Sequence, residues 1–292
     1  MYELIQVSEN NYYIQSPAKI GLVRLNDSDV CLIDSGSDKD AGRKVRQILD
    51  KNSWKLKAIY ITHSNADHIG GCKYLQAQTG CKIYAPGIEA AFTKYPLLEP
   101  SFLYGGFPTK ELRHKFLMAQ ESEAEGLTPA VLPEGFEIIP LPGHFFDMVG
   151  YRTADNTVYL ADCLSSRETL EKYRIGFIYD IAACLDTLEK VKSMDAALFI
   201  PAHAEATDCI AELAQYNIDT VLEIAERIVE FCEDGIQFEA LLKKLFDHYG
   251  LMMTFEQYVL VGSTVRSYLS WLKGEGRLSA NFINNELIWK KI

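Results

Sequence analysis

The chain has 292 residues, 48% of them hydrophobic and 24% charged, which is ordinary globular usage and enough for one large domain or a domain with a small appendage. A net charge of −11 repels a phosphate backbone and weighs against nucleic acid as a general partner. No run approaches the roughly 18 to 20 apolar residues of a bilayer span, the opening MYELIQVSENNYYIQ has no signal-peptide pattern, and seven cysteines lack a CxxC spacing, so a cytoplasmic chain with reduced thiols is expected.

Residues 2–7, 11–15, 18–25 and 29–34 are short β-rich runs separated by turn residues such as Asn10-Asn11 and Asn26-Asp27, and they predict an antiparallel meander. Val45, Ile48 and Leu49 recur at helical spacing within 38–51. A strand over 56–61 runs straight into Thr62-His63. A helical segment then leads from Asp67 and His68 through Leu75 to about Gly80, followed by a strand over 82–85. Residues 96–134 break this rhythm with Pro, Gly, aromatic and acidic residues, over a length too great for a plain connection. A lid or rim is expected there, with Tyr104 and Phe107 as a candidate substrate rim, although aromatic residues in long loops more often anchor them. Strands resume at 136–141, 149–153 and 158–161, then come a helix over 181–193, a strand over 197–200 and a helix over about 208–232. The pattern predicts two packed sheets with helices outside. In the tail, two amphipathic helices over 238–249 and 254–273 precede a hairpin signal, alternating runs around Asn284-Asn285. The expected division is a main domain over 1–232, with an insertion at about 96–134, and a small winged-helix-like module over 236–292.

The chemistry concentrates at strand ends. Of six histidines, His63 closes KAIYITH, His68 follows Asp67 at a helix start, His144 closes IIPLPGH and His203 closes LFIPAH, while Asp162 ends VYLAD. Imidazole and carboxylate are natural ligands for zinc and related divalent metals, and strand-end loops let distant segments converge on one rim. His63, Asn65 and Asp67 can project from one tight loop, and the helix starting at His68 would favour a neighbouring anion. A lone histidine is usually a core or surface residue; four with two aspartates in this pattern favour a metal. Other features carry less. Cys163, next to Asp162, reads best as a buried thiol, the Lys110, Arg113, His114 and Lys115 patch as a solvated face, and Gly70-Gly71 as a point of close packing.

THSNADHIGG resembles the THxHxDHxGG signature of the metallo-beta-lactamase superfamily, and PGH at 142–144, the Asp ending YLAD and PAH at 201–203 are similar to its later motifs in the same order. The resemblance spans about residues 15–205. It implies a mixed α/β (α+β) fold, the αββα sandwich, with a catalytic domain over 1–232. It also implies a first metal site of His63, position 65 and His144, a second of Asp67, His68 and His203, Asp162 bridging the two, and Asp34 in CLIDSGS supporting the loop from behind. Asp67 would be the catalytic residue that orients the attacking hydroxide and manages its proton. The sequence departs from the signature at Asn65, an amide where the family has imidazole. One or two zinc ions per chain are therefore expected, the second site the stronger, with Fe or Mn as alternatives at the first. The function implied is attack of a metal-bound hydroxide on a small ester, thioester or lactone, the glyoxalase II and lactonase branch. Alternatives are a phosphodiesterase or ribonuclease, a di-iron redox protein and a non-catalytic metal-binding sensor. With Arg266 and Lys273 as the cations of its second helix, the C-terminal module is read as a packing or homodimer contact, not a DNA reader.

Overall fold

The computed structural model describes residues 2–292, so the first residue of the expected 1–232 domain lies outside it. The described residues form two compact units. The first comprises the chain up to Pro142 together with Phe146–Leu164 and Asp195–Cys209; the second comprises Gly143–Phe145, Ser165–Met194 and Ile210–Ile292.

In the first unit the expected meander is formed by β1 (Glu3–Gln6), β2 (Asn11–Gln15), β3 (Ile20–Arg24) and β4 (Asp29–Ile33), each antiparallel to the one before. Three further strands, β5 (Lys55–Tyr60), β6 (Lys82–Ala85) and β7 (Glu125–Gly126), add on in parallel, giving the order β1-β2-β3-β4-β5-β6-β7. Parallel neighbours need a crossover. Between β4 and β5 it is α1 (Lys39–Lys51), which starts where the Asp38 carboxylate accepts from the N–H groups of Asp40 and Ala41 at 2.9 Å. Between β5 and β6 it is α2 (Ala66–Ile69) and α3 (Cys72–Thr79), so the single helix expected over 67–80 is broken at Gly70-Gly71. Both glycines are points of close packing against the loop after β4. A Cβ on Gly70 would meet the Ser37 carbonyl carbon at 2.2 Å, and one on Gly71 the Ser35 oxygen at 2.3 Å.

A second sheet holds β8 (Glu137–Pro140), β9 (Val149–Arg152), β10 (Thr157–Ala161) and β11 (Leu198–Pro201) in the order β11-β10-β9-β8, with β10 and β11 parallel. Two-residue alternation explains how the first sheet is covered on both faces. Ile20, Leu22, Val30, Leu32 and Ile59 pack with Val45 and Leu49 of α1 and Leu75 of α3. Their neighbours Val23, Cys31, Ile33, Ala58 and Tyr60 point the other way and meet Val149, Tyr151, Tyr159 and Ile200 of the second sheet. Helix on sheet on sheet is thus written into consecutive residues of the same strands.

The 96–134 stretch is less of a free lid than its composition predicts. It carries α5 (Leu98–Tyr104), which follows α4 (Glu89–Lys94); it also contributes β7 to the sheet and buries Leu112, Leu117 and Ala124.

The second unit contains α6 (Arg167–Tyr173), α7 (Ile181–Lys192), α8 (Ala211–Phe231), α9 (Phe238–Tyr249), α10 (Phe255–Gly274), β12 (Leu278–Ile283) and β13 (Glu286–Lys291). The last two form the expected hairpin, turning through Asn284 and Asn285 at φ of 51° and 66°. The helix, helix, hairpin run does not stand apart. Val221, Ile224, Ala225 and Ile228 of α8 share one core with Leu241 and Leu245 of α9 and with Val265, Tyr268 and Leu272 of α10. That seam ties the tail to a helix that the sequence reading assigns to the main domain.

Candidate metal centre

Four strand ends of the first unit deliver the candidate ligands. Asp34 directly follows β4 and Ala161 ends β10, with φ of 64° and 52°, a left-handed conformation that is strained for residues other than glycine. These turns lead the chain out of the sheet at Asp34 and Asp162. β5 runs through Thr62 into His63, and β11 into His203.

Each of three imidazoles is held by its Nδ1. His68 Nδ1 lies 2.8 Å from Asp34 Oδ2, His63 Nδ1 lies 3.0 Å from Thr62 Oγ1, and His203 Nδ1 lies 3.0 Å from the Pro17 carbonyl oxygen. A carboxylate and a carbonyl only accept, so His68 and His203 must donate from Nδ1. The Thr62 hydroxyl donates to Asp34 Oδ2 at 2.7 Å and is left to accept from His63. All three rings therefore offer Nε2 to the same place. Asp162 Oδ1 lies 3.1 Å from His68 Nε2, while its Oδ2 lies 3.1 Å from His203 Nε2 and 3.9 Å from His63 Nε2. Asp67 Oδ2 lies 3.3 Å from His203 Nε2 and 3.8 Å from His68 Nε2. One ligand atom from each of Asp67, His68, Asp162 and His203 falls within 4.8 Å of the others.

The charges explain why a cation fits. Burial pushes the Asp67 carboxyl up, but the His68 and His203 rings outweigh it and hold the group well below the usual carboxylate range. Asp162 behaves alike, with burial opposed by His203 and then His68. Burial pushes His203 down, and Asp162 with Asp67 brings it up to about 10; His68 is likewise raised well above the ordinary imidazole value. Protons on the two rings balance the two carboxylates, and a divalent cation replaces those protons with charge of the same sign. His68 Nε2 is buried and, although 3.1 Å from Asp162 Oδ1, lacks the alignment of a hydrogen bond. That buried nitrogen, turned into two carboxylates, fits a metal ligand. Anchoring through the outer ring nitrogen is how metal-binding histidines are oriented.

Residues 15–203 match the sequence pattern of the metallo-beta-lactamase superfamily. The chain belongs to that superfamily. Among relatives, a hydroxyacylglutathione hydrolase of Pseudomonas entomophila (strain L48) is 25% identical over 127 residues, 44% of this chain and 38% of its own length. A beta-lactamase-like protein 2 homolog of Drosophila melanogaster is 23% identical over 207 residues, 68% of this chain and 63% of its own length. The chain thus spans less than two thirds of the length of these relatives. A solved structure of a beta-lactamase domain protein from Burkholderia ambifaria superposes with a TM-score of 0.74 at 15% identity, covering 99% of this chain and 94% of that one. A metallo-beta-lactamase family protein from Thermus thermophilus gives 0.73 at 13%, covering 99% and 97%.

His144 is grouped with the second unit, after Gly143 at φ 124°, and its ring meets Phe177 edge-on at 5.5 Å. Asn65 stands where the signature has histidine, and its Nδ2 donates to Glu99 Oε1 at 2.7 Å. Tyr104 is partly exposed at the end of α5. Phe107 is 71% exposed under the Arg113 guanidinium, so it does not anchor the loop. Cys163 is buried, and Lys115 pairs with Asp38 at 2.8 Å.

Three supporting side chains escaped the sequence reading. Glu89 of α4 is fully buried; its Oε2 accepts from the Ser64 hydroxyl and from Ser64 N at 3.0 Å, and its Oε1 accepts from Asp147 N at 2.9 Å. Glu99 of α5 is buried against Asn65. Lys19 is buried with its ammonium donating to the Ala204 carbonyl, while its backbone N–H donates to Ala202 O at 3.0 Å. The available signal was a lone acid in an apolar run, GIEAAF for Glu89 and LLEPSF for Glu99.

Proposed function

We propose that this chain is a zinc-dependent cytoplasmic hydrolase of a small thioester, ester or lactone. The observation that carries the reading is the set of three imidazoles, each tied at Nδ1 and turned by Nε2 onto Asp162. His68, His203, Asp67 and Asp162 would hold one cation. His63 and Asn65 would contribute to a second, with Asp162 shared between them. The bound metal would supply a water of lowered pKa and a Lewis acid for the scissile carbonyl. Asp34 and Thr62 keep the His68 and His63 rings from rotating. Asp67, more exposed than Asp162 at 38% against 10% side-chain accessibility, is the carboxylate better placed to face substrate, and it would orient the attacking water and accept its proton. Tyr104 and Phe107 would line the approach. A thioester is favoured within the class because relatives at 25% to 31% identity are hydroxyacylglutathione hydrolases. None of the seven cysteines is joined in a disulfide, which supports a reducing compartment.

The test combines metal analysis of the purified chain with a panel of thioesters, lactones and phosphodiesters. Bound zinc and turnover of the acyl substrates, both removed by His68→Ala, are expected. A chain that binds no transition metal would sink the proposal, and turnover of phosphodiesters alone would replace its substrate class.

A further inference from the structure

The departure of Asn65 from the family signature comes with a partner. Glu99, 5% exposed, approaches from α5, a helix whose Pro100 and Leu103 are also buried. Its Oε1 accepts a hydrogen bond of 2.7 Å from Asn65 Nδ2. The next residue back is treated similarly, since Glu89 of α4 accepts from both the backbone and hydroxyl of Ser64. Two buried acids from consecutive helices thus grip two consecutive residues of the metal loop. A structural role for both is the plain alternative, and the chemistry of the amide argues for more at Asn65. A carboxamide has one lone-pair donor, Oδ1, and an NH₂ group that only donates hydrogen. Turning it by a half-rotation exchanges an atom that binds a cation for one that repels it. A buried carboxyl oxygen against one end selects which atom faces the other way, and Oε1 can accept whether or not Glu99 carries a proton.

We infer that Glu99 is a positioning residue that fixes Asn65 with its amide oxygen as a ligand of the first metal, so that Asn65 and Glu99 together replace the family's histidine. The inference rests on the metal-site reading above. An oxygen in place of imidazole makes that site harder, shifting its preference toward Mn and Fe relative to zinc.

The test is titration of the full chain with Co(II), followed by calorimetry and by the visible spectrum of the bound ion. Wild type is expected to show a tight and a weaker step. Glu99→Met removes the acceptor at similar volume; the weaker step should fall by about tenfold and its spectrum should shift, while the tight step is unchanged. Glu99→Gln keeps an acceptor oxygen and should stay within about threefold of wild type. Adding Asn65→His to Glu99→Met should restore the weaker step, because imidazole has no amide to orient. The inference is overturned if Glu99→Met binds both ions as wild type does, if it weakens both steps equally, if Glu99→Gln is as weak as Glu99→Met, or if Asn65→His fails to restore binding. A wild type with one step only also overturns it and leaves the Asp67, His68, His203 site standing. A wild type that binds no Co(II) overturns both readings.

Discussion

The two arms of the His63–His68 loop are held by different means. The His68 arm is fixed from the sheet edge: Asp34, the residue directly after β4, bonds the ring directly, and its two oxygens also take the backbone N–H and hydroxyl of Thr62 at 2.8 and 2.7 Å. The Ser64-Asn65 arm is fixed from outside the sheet by Glu89 and Glu99, carboxylates on helices that belong to no strand. An arm anchored in strand ends inherits the rigidity of the whole sheet. An arm braced by helices depends on how those helices seat.

The most drastic way to break this comparison is to remove the residue both arms face. Asp162→Ala should strip the purified chain of transition metal altogether, as measured by elemental analysis, because Asp162 neighbours the Nε2 atoms of His63, His68 and His203. Full retention of metal would mean the arms do not share a centre.

Glu89 tests the braced arm through pH. Burial pushes its carboxyl from 4.5 up to about 7, against the lowering effect of its hydrogen bonds to Ser64 and Asp147. The folded chain therefore holds this proton more tightly than the unfolded chain. Stability declines as pH rises from about 4.5 to 7, and the full loss, about 3 kcal/mol, is present above 7. Glu89→Gln carries no such proton. Denaturant unfolding at pH 4 and pH 8 should show wild type losing about that much relative to the variant, and parallel curves would refute the buried-acid account.

The anchored arm is tested more gently by Asp34→Asn. The fold should survive, while metal affinity at the second site drops by about 10- to 100-fold in calorimetric titration. An unchanged affinity would show that the ring needs no carboxylate behind it.

Much of this was legible in the sequence. Strands β2 to β6 and β8 to β11 were readable because each is a self-contained β-rich run, and the candidate ligands stood out because His63, Asp162 and His203 sit at strand ends. Helix α6 was not, since RETLEKY buries only Leu170 and shows no apolar stripe; Ser166 caps it by accepting from Thr169 N at 3.1 Å. Strand β7 was invisible for another reason. Glu125-Gly126 has no periodicity and becomes a strand only by pairing with Tyr84 and Ala85. The roles of Glu89 and Glu99 depend on contacts 25 and 34 residues away, which no local pattern encodes.

The clamp on His203 bears on the order of assembly. Pro17 and Lys19 hold the 202–204 turn, so two stretches about 185 residues apart must meet before that candidate ligand has a fixed place. Between them the chain passes through the helices α6 and α7 of the other unit and then returns. Closing so long a loop is slow and comes late. A nascent or partly unfolded chain has His63 and His68 close together in sequence but no settled His203. Firm retention of an ion at the second site should therefore appear only after β11 has docked, which makes metal retention a gauge of completed folding in the first unit.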